Sequence, residues 1–417
     1  MRPLVTLACS SILGLVLGAC FTGEGTLGAV CETDAQCGTD QTCRNQVCGM
    51  CRDDQVQSGE ICYGASSEEI AFGEVSDLLA IDADFDGDLD LLAVVNDDCG
   101  GIGGACWDLR LLVPVDGDFE SIELFDENVP GRVPEIEIGN FDGDDKPDIV
   151  AVAVPLDMGL DASQLAVLFD FPESATSVDV DVAVFARSLE AADLDGNGLD
   201  DLLIGAEIAN TLIFVPSTGT GFGAERVLIS DPAPRLAPPV DMDGDGDLDL
   251  IIGSGAGTIG VDLNDGNANF APQPRQMLGE GFVVDVVATA DFDADGNLDV
   301  VTLANSFMDE APIISVYRGL GDGRLEPLAT LPGGEYPVDI LTDDVNFDGL
   351  PDIMVADLLE DKLPVFINRD GSFPDQVGID VAAAPLTMLR GDFDNDGFVD
   401  LVIGNANGVI SVVRSEN

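Results

Sequence analysis

Histidine is absent from all 417 residues, and basic residues are few, 16 Lys+Arg against 79 Asp+Glu. The first absence removes the Ser-His-Asp and Cys-His catalytic arrangements and every His-ligated zinc or haem site. The second removes the basic surface that phosphate recognition requires, so nucleic acid is excluded as a partner. Tryptophan occurs once. After the N-terminal segment no apolar run is long enough to span a bilayer as a helix. Disorder does not account for the net charge of −63, because 46% of the residues are hydrophobic. A chain both apolar and strongly acidic must concentrate its acids in particular places.

Met1 and Arg2 lead into a mostly apolar run, Leu4 to Leu17, with the length of a signal-peptide core. It ends in Leu17-Gly18-Ala19-Cys20, which resembles a bacterial lipobox. The resemblance implies that residues 1–19 are removed and that Cys20 carries a lipid holding the chain to a membrane. An ordinary secretory signal with a chance cysteine is the rival reading, and it also implies export. Phe21 stands where, by analogy, an Asp would retain the chain at the inner membrane, which favours the outer membrane or cell surface. Residues 20–30 are Gly-rich and read as a flexible tether.

Cys9 leaves with the signal, and eight cysteines remain after Cys20. An even number in an exported chain argues for disulfides. Cys31, Cys37, Cys43, Cys48, Cys51 and Cys62 fall in a segment, 31–64, with too little apolar content for a core, so covalent bridges must order it. Their pairing is open, and a Cys-based zinc site is the rival. Cys99 and Cys106 are expected to bridge a loop of their own.

The main signal is a nine-residue acidic loop repeated seven times. Positions 1, 3, 5, 7 and 9 of the first are Asp82, Asp84, Asp86, Asp88 and Asp90. The second has Asn140, Asp142, Asp144, Lys146 and Asp148, and the third Asp193, Asp195, Asn197, Leu199 and Asp201. The fourth has Asp241, Asp243, Asp245, Asp247 and Asp249, and the fifth Asp291, Asp293, Asp295, Asn297 and Asp299. The sixth has Asp344, Asn346, Asp348, Leu350 and Asp352, and the seventh Asp392, Asp394, Asp396, Phe398 and Asp400. Start-to-start spacings are 58, 53, 48, 50, 53 and 48 residues.

Alternate residues of a tight loop can turn their side chains towards one centre. Glycine at position 6, present in all but the second loop, permits the positive φ of a sharp turn. The position 7 carbonyl and the position 9 carboxylate complete an oxygen cage. Hard, charged oxygens on a flexible loop suit Ca²⁺ better than Mg²⁺, which demands near-octahedral geometry. Up to seven Ca²⁺ are expected, and they would cancel 14 of the net negative charges. An EF-hand is ruled out, because position 12 holds Ala, Ile, Thr or Val instead of Glu. A solvated acidic turn is the bland alternative for any single loop. The second loop, with Asn140 first and Asp145 at position 6, is the weakest candidate.

Between the loops the chain reads as short strands: in the fifth period, 282–290, 299–304, 312–317 and 325–331. Four antiparallel strands per period of about 50 residues describe a propeller blade. A parallel β-helix, with rungs half that length, is the structural rival. The acidic loops, the D-[LIV]-[LIV]-[IV] strands after them and the G-x-F turns (Gly221-Phe222-Gly223 among them) resemble FG-GAP/VCBS repeats. That family forms the calcium-binding β-propeller of integrin α-chain heads and of many bacterial surface proteins. The resemblance covers residues 65–417 and implies an all-β, seven-bladed propeller of four-stranded blades. The seventh period lacks a fourth strand, and the segment Ser67 to Phe72 is expected to supply it.

Alternating strand direction puts the acidic loops and the strand-three-to-four turns on one face. The longest loops, at Asn96 to Trp107, Pro155 to Ser163, Asn305 to Ala311 and Asp357 to Lys362, fall on the other. Integrin heads bind ligand on the face opposite their calcium loops, so the resemblance implies a binding, adhesion or surface-assembly module with a protein or glycan ligand outside the cell. No nucleophile motif is present, and no catalytic residue is expected. A carbohydrate-active enzyme on paired carboxylates and a purely structural envelope protein are the alternatives.

Overall fold

The computed structural model describes residues 68–71 and 74–414, except 84–86, 99–104, 116–117, 124–128, 131–134, 145, 154–162, 170–175, 183–185, 207–208, 230, 309, 347 and 394–398. It also describes two short strands at Thr42–Arg44 and Val47–Gly49. The chain divides into two compact units, Met1–Met50 and Cys51–Asn417. In the first, the two strands pair antiparallel and set Cys43 opposite Cys48. The lipobox, the tether and the remaining cysteine pairings lie outside the described residues, as does Cys99.

The second unit is a seven-bladed β-propeller, and its described residues contain no helix. Every period builds one antiparallel sheet whose strands follow chain order from the centre outwards. The inner strands are Glu74–Ile81, Ile136–Gly139, Ala186–Ala192, Arg235–Leu236, Phe282–Ala290, Pro337–Asp343 and Pro385–Gly391. Each packs beside the inner strands of both neighbouring blades, and that of blade seven meets that of blade one. In blades one and four the outer strand is broken into two pieces, and in blade four the inner strand is only two residues long. Blade seven takes its outer strand from Glu68–Ala71, which pairs with Val409–Val413 and leaves no open edge there.

The sequence pattern follows from this stacking. The second strand of a blade lies between two neighbours in its sheet and is covered on both faces by adjoining blades. Asp201–Ala206, Asp352–Asp357 and Asp400–Asn405 are accordingly buried at every residue, which is why they read as unbroken apolar runs. Outer strands such as Arg226–Ile229 face solvent. Seven apolar clusters fill the seven gaps between blades, including one between blades seven and one around Val75, Leu91, Phe393 and Val402. Burial of each Leu or Ile there contributes about 1.5–3 kcal/mol. Gly253, late in a second strand, has a packing reason: a Cβ there would sit 2.4 Å from Val284 Cγ1 of the next inner strand.

Two of the long loops differ from expectation. Strand pairing continues through Asn96↔Trp107 to Asp98↔Ala105, so the two sides of that segment extend the hairpin, and 99–104 lie outside the described residues. In blade five the second strand runs on to Ser306, which shortens the loop after it.

Candidate functional site: the acidic loops and the central cavity

Each acidic loop joins the first strand of a blade to the second. Its position 2 side chain points into the core: Ala83, Phe141, Leu194, Met242, Phe292, Val345 and Phe393 are all buried. Phe222, from the turn of blade three, stacks 5.5 Å from Phe141 of blade two, and Phe373 of blade six lies 5.7 Å from Phe292 of blade five. The aromatic of the G-x-F turn therefore seals the neighbouring blade's loop. Asn264 and Asn368 reinforce the same joints, their Nδ2 groups donating to Leu194 O and Phe292 O of the preceding blade at 2.9 and 2.8 Å.

The alternate polar residues then order the loop. The position 1 carboxylate accepts the position 6 N–H at Gly87, Gly198, Gly246, Gly296 and Gly349, over 2.7–3.2 Å. All five glycines have φ between 85° and 98°, as the turn requires. Position 5 side chains accept the position 7 N–H of Lys146, Leu199, Asp247, Asn297 and Leu350. Position 9 has a structural duty that the spacing alone did not reveal. Asp201, Asp249 and Asp299 each accept the position 2 N–H on Oδ2, and on Oδ1 an N–H from the end of strand three (Ser217, Asn264 and Gly319). Burial is the main cause that pushes these three carboxyls up to about 6, and Asp352 up to about 7.

Carboxylate oxygens of Asp193, Asp195 and Asp201 converge within 4.8 Å of one another, as do those of Asp241, Asp243 and Asp249, and those of Asp291, Asp293 and Asp295. Loops three and four thus use positions 1, 3 and 9, and loop five uses 1, 3 and 5. These hard, charged oxygen sets fit a calcium ion, which favours the ionised form of acids that burial otherwise disfavours. Loop two is closed by its own amide, with Asn140 Nδ2 donating to Asp144 O at 2.9 Å and Oδ1 accepting Gly143 N–H at 2.7 Å. In loop six Asn346 takes the place of an acid and accepts the Asp348 N–H. Asp84 and Asp86 of loop one, and Asp394, Asp396 and Phe398 of loop seven, lie outside the described residues.

A second arrangement escaped the sequence reading. At the end of the inner strands away from the acidic loops is a cavity of about 830 Å³, to which all seven blades contribute. Asp77, Glu135, Arg235, Asp285 and Asp339 are among its lining residues. Asp77 accepts N–H groups from Leu78 and, across the blade boundary, from Ile136, both at 2.9 Å. Asp339 does the same with Ile340 and Met388 of blade seven, at 2.8 and 2.9 Å. Glu135 accepts the N–H of Leu189 in blade three. These acids latch consecutive blades together at the hub. Enclosure by the inner strands pushes Asp77 and Asp339 up to about 7. It also raises Glu135, Glu137 and Glu190 well above the carboxylate range, with neighbouring acids adding to the effect. One signal was available: Asp77, Glu135, Ser188, Asp339 and Thr387 all stand five residues before position 1 of their loops, an acid or hydroxyl recurring at one offset.

Beside the cavity, blades five and six expose Phe307, Met308, Tyr336 and Leu359, and Asp357 ties the last two in place by accepting N–H groups from Glu335, Tyr336 and Leu359. Tyr336 is 57% exposed and also lines the cavity.

No curated protein matches the chain in sequence. Among the solved structures that share its fold are BBS1N in complex with ARL6DN soaked with mercury (TM-score 0.57, 9% identity, covering 85% of this chain and 97% of that chain), and the same complex soaked with lead (TM-score 0.54, 10% identity, covering 86% and 98%). A family model for the FG-GAP-like repeat matches residues 241–302 and 344–403, which contain the fourth, fifth, sixth and seventh acidic loops. Those two stretches are thus similar to FG-GAP-like repeats, and the chain that contains them folds as a seven-bladed β-propeller.

Proposed function

We propose that this chain is an exported, lipid-anchored, calcium-binding β-propeller that binds an extracellular protein or glycan at the bacterial outer membrane or cell surface. The observation that carries the binding reading is the cavity at the hub with exposed Phe307, Met308, Tyr336 and Leu359 beside it, on the face opposite the acidic loops. Clustered exposed apolar side chains next to a polar concavity are what a recognition surface presents. The converging carboxylates of loops three, four and five support calcium as the ion that stiffens the other face. Export and the lipid on Cys20 rest on the N-terminal motif.

A second reading has an observation in its favour. Carboxyls raised by burial, Asp77 to about 7 and Glu135 well above its ordinary value, are what a general acid needs, so a carbohydrate-active enzyme is the alternative. Against it, Asp77, Glu135 and Asp339 are already engaged by backbone N–H groups of the next blade. The test is the combined variant Phe307→Ser, Met308→Ser, Tyr336→Ser and Leu359→Ser on a glycan and surface-protein array. Wild type is expected to bind and the variant to lose binding while its calcium-dependent melting is kept. Binding lost only on mutation of loop acids would put the site on the other face. Glycan turnover abolished by Glu135→Gln would establish the enzyme, and a wild type silent in both assays would leave a structural envelope protein.

A further inference from the structure

Among the described residues, loops five and six each pair with an arginine from the end of their own blade's third strand. Arg318 is the penultimate residue of the third strand of blade five, Ile313–Gly319, and its Nη2 pairs with Oδ2 of Asp293, position 3 of loop five. Arg369 follows the third strand of blade six, Lys362–Ile367, and its Nη1 lies 3.0 Å from Oδ2 of Asp348, position 5 of loop six. The two reach their loops from different places. The residue whose N–H is held by the position 9 carboxylate is Gly319 in blade five and Asn368 in blade six. Arg318 precedes that residue and Arg369 follows it. The corresponding positions are Pro216 and Thr218 in blade three, and Leu263 and Asp265 in blade four.

Burial decides whether such pairs matter. Ion pairs between exposed side chains contribute little. Here the side chains of Asp293 and Asp348 are only 5% and 7% exposed, so each carboxylate is enclosed and needs a counter-ion. The arginines are 43% and 36% exposed, so each lies over its acid from the solvent side, where an entering ion would approach.

We propose that Arg318 and Arg369 are resident counter-ions that make loops five and six weak calcium sites and leave loops three and four as tight ones. This rests on the calcium reading above and refines it. A guanidinium within ion-pair distance repels a divalent ion and claims an oxygen the ion would use. Its removal should raise calcium affinity on the order of tenfold at that loop. Loop six is weakened further by the neutral Asn346 at position 3.

The test is calcium titration of the full chain by calorimetry with native mass spectrometry, on wild type, Arg318→Gln, Arg369→Gln and Arg324→Gln. Arg324 pairs with Asp322 in a surface turn outside the seven loops and serves as control. Each of the first two variants is expected to gain one tight calcium, to melt lower than wild type in EDTA, and to regain the wild-type Tm at saturating calcium. Arg324→Gln should alter neither the number of tight ions nor the calcium dependence of melting. If both variants titrate like wild type, the proposal fails and the calcium reading stands. If no protein takes up calcium, wild type included, both fail.

Discussion

Ala294 occupies position 4 of loop five at φ 54°, where loops two, three and four have Gly143, Gly196 and Gly244 at φ 74–86°. A left-handed conformation costs a Cβ-bearing residue roughly 1–2 kcal/mol, partly offset by the smaller chain entropy of alanine in the unfolded state. Ala294→Gly should therefore stabilise the protein by about 0.5–1 kcal/mol, read as a higher denaturation midpoint at fixed calcium. Asp77 is the opposite case, a polar side chain whose removal leaves the N–H groups of Leu78 and Ile136 without their acceptor. Asp77→Ala should cost about 1–3 kcal/mol in chemical denaturation. Because burial raises the folded-state pKa of Asp77 from 3.8 to about 7, the native state binds the proton more tightly than the unfolded chain. That contribution is therefore greatest at low pH and is lost as pH rises through 7. Glu135, Glu137, Glu190 and Arg235 share the hub and their charges are part of the same balance. At saturating calcium, the stability lost in Asp77→Asn relative to wild type should be larger at pH 5.5 than at pH 8. A difference that grows with pH would show that Asp77 is held ionised.

The element scale separates what the sequence showed from what it hid. The acidic loops were legible because their ligand spacing repeats at one period, and the second strands because full burial leaves an unbroken apolar run after position 9, as in Leu202-Leu203-Ile204. The closing strand was legible as a shortfall, since blade seven had strands through Val409–Val413 and no fourth. The hub acids were not. A lone charge in a half-buried strand reads as a solvent-facing position, and only the inward turn of the inner strands makes Asp77 and Asp339 enclosed. The staple role of Asp249 was hidden for a different reason: its partners, Met242 and Asn264, are brought to it by the fold of the whole blade. Closure gives a prediction of its own. A chain starting at residue 65 should melt cooperatively, whereas one starting at residue 75 loses Glu68–Ala71 and exposes the strand Val409–Val413 as an edge. The shorter chain should melt lower and aggregate sooner, and equal Tm values would mean that pairing at Ile70↔Ile410 contributes nothing.

For the molecule as a whole, 79 acids create self-repulsion that 16 basic residues cannot offset. Salt should partly substitute for calcium by screening, whereas calcium is expected also to occupy the converging oxygen sets of loops three and four. The arginines at loops five and six then mark where the chain supplies part of that charge itself. Binding of an ion to the folded state alone raises stability with the logarithm of its concentration. The direct measurement is the calorimetric Tm of the full chain at fixed ionic strength, first stripped with EDTA and then titrated with calcium. The account predicts a low Tm when stripped and a continuous rise with calcium that magnesium does not reproduce; an identical Tm throughout, with the metal verified absent from the stripped sample, would contradict it.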